Sequence, residues 1–412
     1  MRTIAFLVRR SLRQHALSTA VTAGAAALAC GLVLSVFSVT AQARDAFVRD
    51  PGFDAVLGAR GSELQLVLNS VFHLETSPGN IPWKLYEEFR KDPRVELAIP
   101  YALGDNYRGF RIVGTTPDVF GVEYAEGRRH AVATGRLFDP SRREAVLGSF
   151  VAQATGLEVN ATFHPTHGTA NEGHEHEDKY TVTGILAPTN TPADRVVWIP
   201  IEGIFHMEGH VLRGSGEEHA PKPGEEIPDE DKEVSAVMLR LKGEAAGFAL
   251  QLKAREEGAT LAWPVARVMQ DLFDKLFWFV RILEVVAYLV VAVSMAGILA
   301  SLYNTMNERR REFAILRALG ARRRTVFAAV VSEAAAIAAA GALLGFLVHA
   351  LVVAAAAHTL RAETGVVLDP LAYHPVLWAA PLGILALGAL AGFLPAMKAY
   401  RTDVAENLAP TT

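Results

Sequence analysis

At 412 residues, 51% hydrophobic, 20% charged and with a mean hydropathy of +0.21, the chain is too apolar for an average soluble protein and too charged to lie wholly in a membrane. A formal net charge of -4 leaves no excess of basic groups to neutralise phosphates, which argues against nucleic acid as a partner. The single cysteine, Cys30, excludes an intrachain disulfide and any multi-cysteine metal cluster.

A bilayer core about 30 Å thick needs roughly 20 apolar residues at about 1.5 Å each. Four stretches reach that length, at 16–41, 276–303, 326–357 and 375–396. The first has no charge inside it. Its flanks, with Arg2, Arg9, Arg10 and Arg13 before and Ala41-Gln42-Ala43 after, resemble a secretory signal. A signal's apolar run is about 7–15 residues, and this longer one reads as an uncleaved anchor. Arg281 and Glu284 place the first turns of the second stretch above the hydrocarbon.

Lys and Arg in the short loops set the orientation. Segment 1–15 is Arg-rich, and 304–325 holds Arg309, Arg310, Arg311, Arg317, Arg322, Arg323 and Arg324. Segment 358–374 has only Arg361, and Lys398 and Arg401 lie in 397–412. Both termini and the Arg-rich loop are therefore expected on the cytoplasmic side of a membrane, with 42–264 outside.

Within 42–264, short runs rich in β-branched residues at 53–59, 108–114, 180–186, 196–201 and 234–241 predict strands. Segments 83–91, 143–155 and 243–257 predict helices. The expected fold is an α-helical membrane protein of four transmembrane helices, with an α+β extracytoplasmic domain inserted between helices 1 and 2. A helical pattern continues through 265–275 as a stalk into the second span. Segment 214–233 is acidic and Pro-containing, buries too little apolar surface to order itself, and reads as a solvated loop.

Seven of the thirteen histidines fall between residues 164 and 219. Neutral imidazole is a common ligand for zinc, copper and nickel, and carboxylates readily complete such a shell. His164, His167, His174 and His176 form the densest string, while His206 and His210, four apart, would share one face of a helix. These six are candidate metal ligands, zinc first; a polar loop that is merely His-rich is the other reading. No His-Glu-x-x-His helix is present, and no catalytic residue is assigned.

In 304–325, Phe313, Leu316 and Leu319 recur at helical spacing and Gly320 is a helix stop. This short amphipathic helix along the inner face suits a docked soluble partner better than lipid alone, because Glu308 and Glu312 interrupt its basic charge. In the third span, Gly341 and Gly345 form a small-x₃-small step suited to a dimer face, and Glu333 and His349 should face protein or water.

The run Asn-Glu-Arg-Arg-Arg-Glu-Phe-Ala-Ile-Leu-Arg-Ala-Leu-Gly-Ala at 307–321 closely resembles the signature of the FtsX-like permeases, the ABC-transporter group of macrolide exporters and lipoprotein-releasing permeases. The likeness continues through Glu333, Gly341-Ala-Leu-Leu-Gly345 and Leu394-Pro-Ala-Met-Lys-Ala-Tyr-Arg401-Thr-Asp403. It implies a non-catalytic permease that dimerises, binds a separate ABC ATPase, and transmits ATP-driven closure to its outer domain, with a periplasmic adaptor or binding protein as a further partner. Glu308, Arg311, Glu312, Leu316, Arg317 and Gly320 would then be the ATPase-coupling surface. The chain has no Gly-x₄-Gly-Lys-Ser/Thr loop, so ATP would act through the partner subunit. The start almost directly at the first span suggests a split system, and the histidines suggest metal-linked cargo. The alternatives are an envelope regulator run by the same machine without transport, and a metal-sensing receptor.

Overall fold

Apolar helices and mixed strands segregate into two units in the computed structural model, which describes residues 2–48, 52–168, 176–207, 211–212, 218–219, 226–364 and 366–401. One unit comprises Met1–Ala43, Leu276–His358 and Leu368–Thr412, and the other Arg44–Lys275 with Thr359–Val367. Helix α1 (Arg2–Gln14) buries Val8 and Ser11 and leaves Arg9, Arg10 and Arg13 exposed. Helix α2 (Ala16–Val48) follows, long and apolar.

The insert then forms β1 (Ala55–Ala59), α3 (Glu63–Ser70), α4 (Trp83–Arg90), β2 (Val95–Tyr107), β3 (Phe110–Thr115), β4 (Val132–Gly135), β5 (Glu144–Leu147), α5 (Ser149–Thr155), β6 (Thr162–Phe163), β7 (Thr166–His167), β8 (Tyr180–Leu186), β9 (Val197–Pro200), α6 (Ile201–Phe205), β10 (Ala236–Leu241), α7 (Glu244–Glu256) and β11 (Ala259–Ala262). These strands make one mixed sheet in the order β11-β1-β10-β2-β3-β9-β5-β8-β4, with β7 added to β2 and β6 to β8. Pairs β9–β3 and β8–β5 are parallel, and the other pairs antiparallel.

Both sheet faces are covered, so central strands read as continuous apolar runs. Residues of β9 alternate between two cores: Val197 and Ile199 pack with Leu85, Phe89 and Leu250 of the helices on one side. Trp198 packs with Leu66, Val67, Phe120 and Met269 on the other. This α+β insert is the expected class, though α3, α6, β4, β6, β7 and β11 match no predicted segment, and two further differences are larger. Within 143–155 only the second half is helical; Glu144–Leu147 is a strand, buried at every position between β9 and β8. The longest strand, β2, matches no predicted element: Pro100 and Gly104-Asp105-Asn106 punctuate it like a turn, yet Val95–Tyr101 pairs with β10 throughout.

After the insert come α8 (Val265–Glu308), α9 (Arg310–Ala318), α10 (Arg323–Thr364), α11 (Val376–Ala391) and α12 (Phe393–Arg401). Four helical stretches, Ala16–Phe47, Val265–Met306, Arg323–Arg361 and Val376–Tyr400, are long and apolar enough to cross a membrane. In this unit α2, α10 and α11 meet through small residues. A Cβ on Gly341 would lie 2.4 Å from Ala26 Cβ, and one on Gly345 2.6 Å from Cys30 Cβ. A Cβ on Gly388 would meet Ala338 at 2.3 Å. Gly341 and Gly345, expected at a dimer face, pack here against α2 of the same chain, which fills the close approach that these glycines permit. His349 is a satisfied buried histidine, with Nδ1 3.2 Å from Ser35 Oγ and Nε2 3.2 Å from the Pro370 carbonyl oxygen.

Candidate functional site

The loop between α8 and α10 is built around α9. Arg309 breaks α8 from α9, and Gly320 ends the turn after α9 with φ +97. Gly320 N–H donates to the Arg317 carbonyl at 3.0 Å and Ala321 N–H to the Leu316 carbonyl at 3.0 Å. This pair of bonds is the Schellman arrangement, which needs a left-handed residue at that position. Phe313 is buried with Met306, Val326, Val330, Ala396 and Ala399, and Leu316 packs against that cluster.

Glu308, Arg311, Glu312 and Gly320 are exposed, and Arg317 is half-buried. Of the expected coupling residues, Leu316 alone faces inward as a packing group. Leu319, which its spacing placed on the buried face, is 81% exposed because the helix ends at Ala318. With Ile315, also exposed, it adds an apolar spot beside the charges. Below this surface, buried Arg309 donates from Nη1 to Ser11 Oγ of α1 at 2.6 Å and to Glu333 Oε2 of α10 at 3.2 Å. Ser11 Oγ also donates to Glu333 Oε1, so one network joins α1, α10 and the α8–α9 break. Arg309 Nε lies 3.3 Å from Glu312 Oε2.

In the inserted domain, one group of three His, Asp or Glu side chains comes together among the described residues: Asp105, His167 and His176, with ligand atoms all within 4.8 Å. Asp105 sits in β2 where the register against β3 slips between Leu103 and Asn106, an extra residue that re-aims the strand. His167 is its direct partner across β7, and its Nδ1 lies 3.1 Å from Asp105 Oδ1. His176 Nε2 lies 3.4 Å from the same oxygen.

Hydrogen bonds to the main chain position the segments that carry both imidazoles. Asn106 Nδ2 donates to the Thr166 and Gly168 carbonyls at 3.1 and 2.5 Å, and His176 N–H donates to the Pro165 carbonyl at 2.9 Å. Asp105 is fully buried and His176 nearly so, while His167 is 54% exposed. Burial lifts the neighbouring Tyr180 phenol above its usual range, and the carboxylates of Asp178 and Asp105 add to that.

Two other candidates, His164 and His206, are among the described residues and are not in this group. His164 Nδ1 lies 3.2 Å from the His176 carbonyl oxygen, which only accepts, so His164 donates and braces the His176 backbone. His174 and His210 lie outside the described residues. His206 is not on a helix face: α6 stops at Phe205, and the His206 ring faces the Glu202 carbonyl at 2.7 Å. It borders an open depression with Glu202, Glu226, Asp229 and Lys232. There the Lys232 ammonium, 3.1 Å from Asp229 and 3.7 Å from Glu202, already supplies positive charge. Asp105 was not among the candidates from sequence, since a lone aspartate 62 residues from His167 carries no spacing signal.

A model described as the MacB-like periplasmic core domain matches residues 19–254, and one described as the FtsX-like permease C-terminal domain matches 284–404. No curated protein matches. Among solved structures, the periplasmic region of MacB from Actinobacillus actinomycetemcomitans is similar at 10% identity, covering 54% of this chain and 94% of that one with a TM-score of 0.32. The extracellular domain of the noncanonic ABC-type transporter YknZ from Gram-positive bacteria is similar at 12% identity, covering 50% and 97% with a TM-score of 0.28.

Proposed function

Since the chain belongs to the MacB/FtsX-type family of ABC transporter permeases, we propose that it couples ATP hydrolysis in a separate ATPase subunit to movement of its inserted domain. The observation that carries this reading is α9: an amphipathic helix pinned by a left-handed glycine, presenting Glu308, Arg311, Glu312 and Leu319. In this scheme the ATPase docks on that face from the cytoplasm, where both termini also lie. The unbroken α8 carries the displacement toward the insert on the outer side of a bacterial inner membrane. Two permease copies and two ATPase copies complete the machine, and the permease itself performs no chemistry. A periplasmic adaptor or binding protein fits the outer side. The cargo is read as metal-linked, zinc by ligand type, on the strength of Asp105, His167 and His176.

Co-expression with a stand-alone ABC ATPase subunit from the same organism tests this reading. The ATPase should co-purify with the wild-type chain and its turnover should rise in the complex. A folded permease that recruits no ATPase would contradict it.

A further inference from the structure

We infer that Asp105, His167 and His176 bind one zinc ion in the inserted domain through Asp105 Oδ1, His167 Nδ1 and His176 Nε2. The inference deepens the metal-linked cargo reading and rests on it for the use of the ion, though not for its binding.

The distances fit a shared ion. Four ligands about 2.0–2.1 Å from zinc stand about 3.3 Å from one another. Asp105 Oδ1 lies 3.1 Å from His167 Nδ1 and 3.4 Å from His176 Nε2. The two imidazoles stand edge to face, ring centroids 5.9 Å apart and planes at 88°. They converge on one carboxylate oxygen and do not stack on each other.

Donor type selects the metal. Two imidazoles and one carboxylate suit zinc, whereas calcium and magnesium prefer all-oxygen shells. A fully buried carboxylate is costly in a low dielectric, and a divalent cation on Oδ1 offsets that cost better than neutral imidazoles do.

The site is also built in advance. His167 is registered against Asp105 by strand pairing, and His176 is held through its own backbone by Pro165 and His164. Holding the backbone of both ligands in this way places the imidazoles before any ion arrives. His167 is 54% exposed, so the site is reached from solvent. It lies on β2, the strand that also pairs with β10 and β3, so an ion held there bears directly on the centre of the sheet.

The test uses the full-length chain in detergent, stripped of metal with a chelator and titrated with zinc against a chromophoric competitor. One ion per chain is expected, with micromolar or tighter affinity, and calcium and magnesium should not compete. Asp105→Asn and His167→Ala should each weaken binding by about 100-fold or more, at the upper end of what loss of a mere supporting group costs, while His206→Ala changes nothing. Cobalt(II) in place of zinc should give the visible bands of a tetrahedral ion in the wild type and lose them in Asp105→Asn.

Should Asp105→Asn fail to fold, His167→Ala still decides the matter, because its half-exposed ring can be removed without opening the core. Zinc should raise the melting temperature of the wild type and not of His167→Ala. Absent binding in the wild type, or equal binding in the wild type and His167→Ala, would overturn the assignment. Neither result alters ATPase recruitment, measured on the same preparations, so failure of the site and failure of the permease reading are told apart.

Discussion

Arg309 and Glu333 are 24 residues apart in the chain and 3.2 Å apart in space, both buried where α8 breaks into α9. The pair is closed by Ser11, which bonds both side chains. A buried ion pair adds little net stability against apolar residues of similar size, but removing one partner strands the other charge at a cost of about 3–5 kcal/mol. Glu333→Ala and Arg309→Ala should each lower the melting temperature of the purified chain markedly. The double substitution Arg309→Met with Glu333→Leu should recover most of the loss. Equal loss in the single and double variants would show that the pair is not the source of the penalty.

Gly320 adopts φ +97 with open space around its missing Cβ, so the cost of a side chain there is conformational alone. Gly320→Ala should cost about 1–2 kcal/mol in the α9 cap, and Gly320→Asn less, because Asn tolerates the left-handed region. The ranking Gly, Asn, Ala should appear in hydrogen exchange of the Leu319 to Ala321 amides. Equal exchange in all three would discount the cap.

Gly345 lies against Cys30, whose thiol is buried. Gly345→Val should wedge α10 from α2, destabilise the membrane unit and make Cys30 reactive toward a maleimide that leaves the wild type unmodified. Unchanged labelling would mean that the two helices do not pack through this step.

How far these features were legible in the sequence follows from their physics. Apolar length identified the four long helices, since a membrane span is a local property. The α9 amphipathic pattern and its Gly320 stop were equally local. What escaped depends on tertiary context: Glu144–Leu147 reads as helix by itself and becomes strand because β8 and β9 flank it. β2 hides behind its own Pro and Gly residues, and with it Asp105. The histidine string pointed to the right region, but strand pairing is what sets His167 beside Asp105, and the His176 N–H bond to Pro165 brings in the second imidazole. Gly341 and Gly345 showed that a close helix contact exists without saying which helix makes it.

Asp92 is held well below the usual carboxylate range by hydrogen bonds from the Arg94 guanidinium, with Lys253 adding to it. A depressed folded pKa stabilises above the unfolded value of about 3.9, and that contribution declines as pH falls below it toward the folded value. Asp92→Asn should therefore lower the melting temperature at pH 7, with the gap to wild type narrowing below about pH 4. A gap independent of pH would assign the effect to lost packing.

The central claim, that α9 is where an ATPase engages, is tested most directly by Arg311→Glu. Arg311 is exposed on α9, so reversing its charge should leave the fold intact. The measurement is co-purification, with wild-type and Arg311→Glu permease, of an ABC ATPase that the wild type recruits, after equal melting temperatures have been confirmed. Loss of the ATPase from the variant alone is the expected result. Equal recovery with both would contradict the assignment of this helix as the coupling surface.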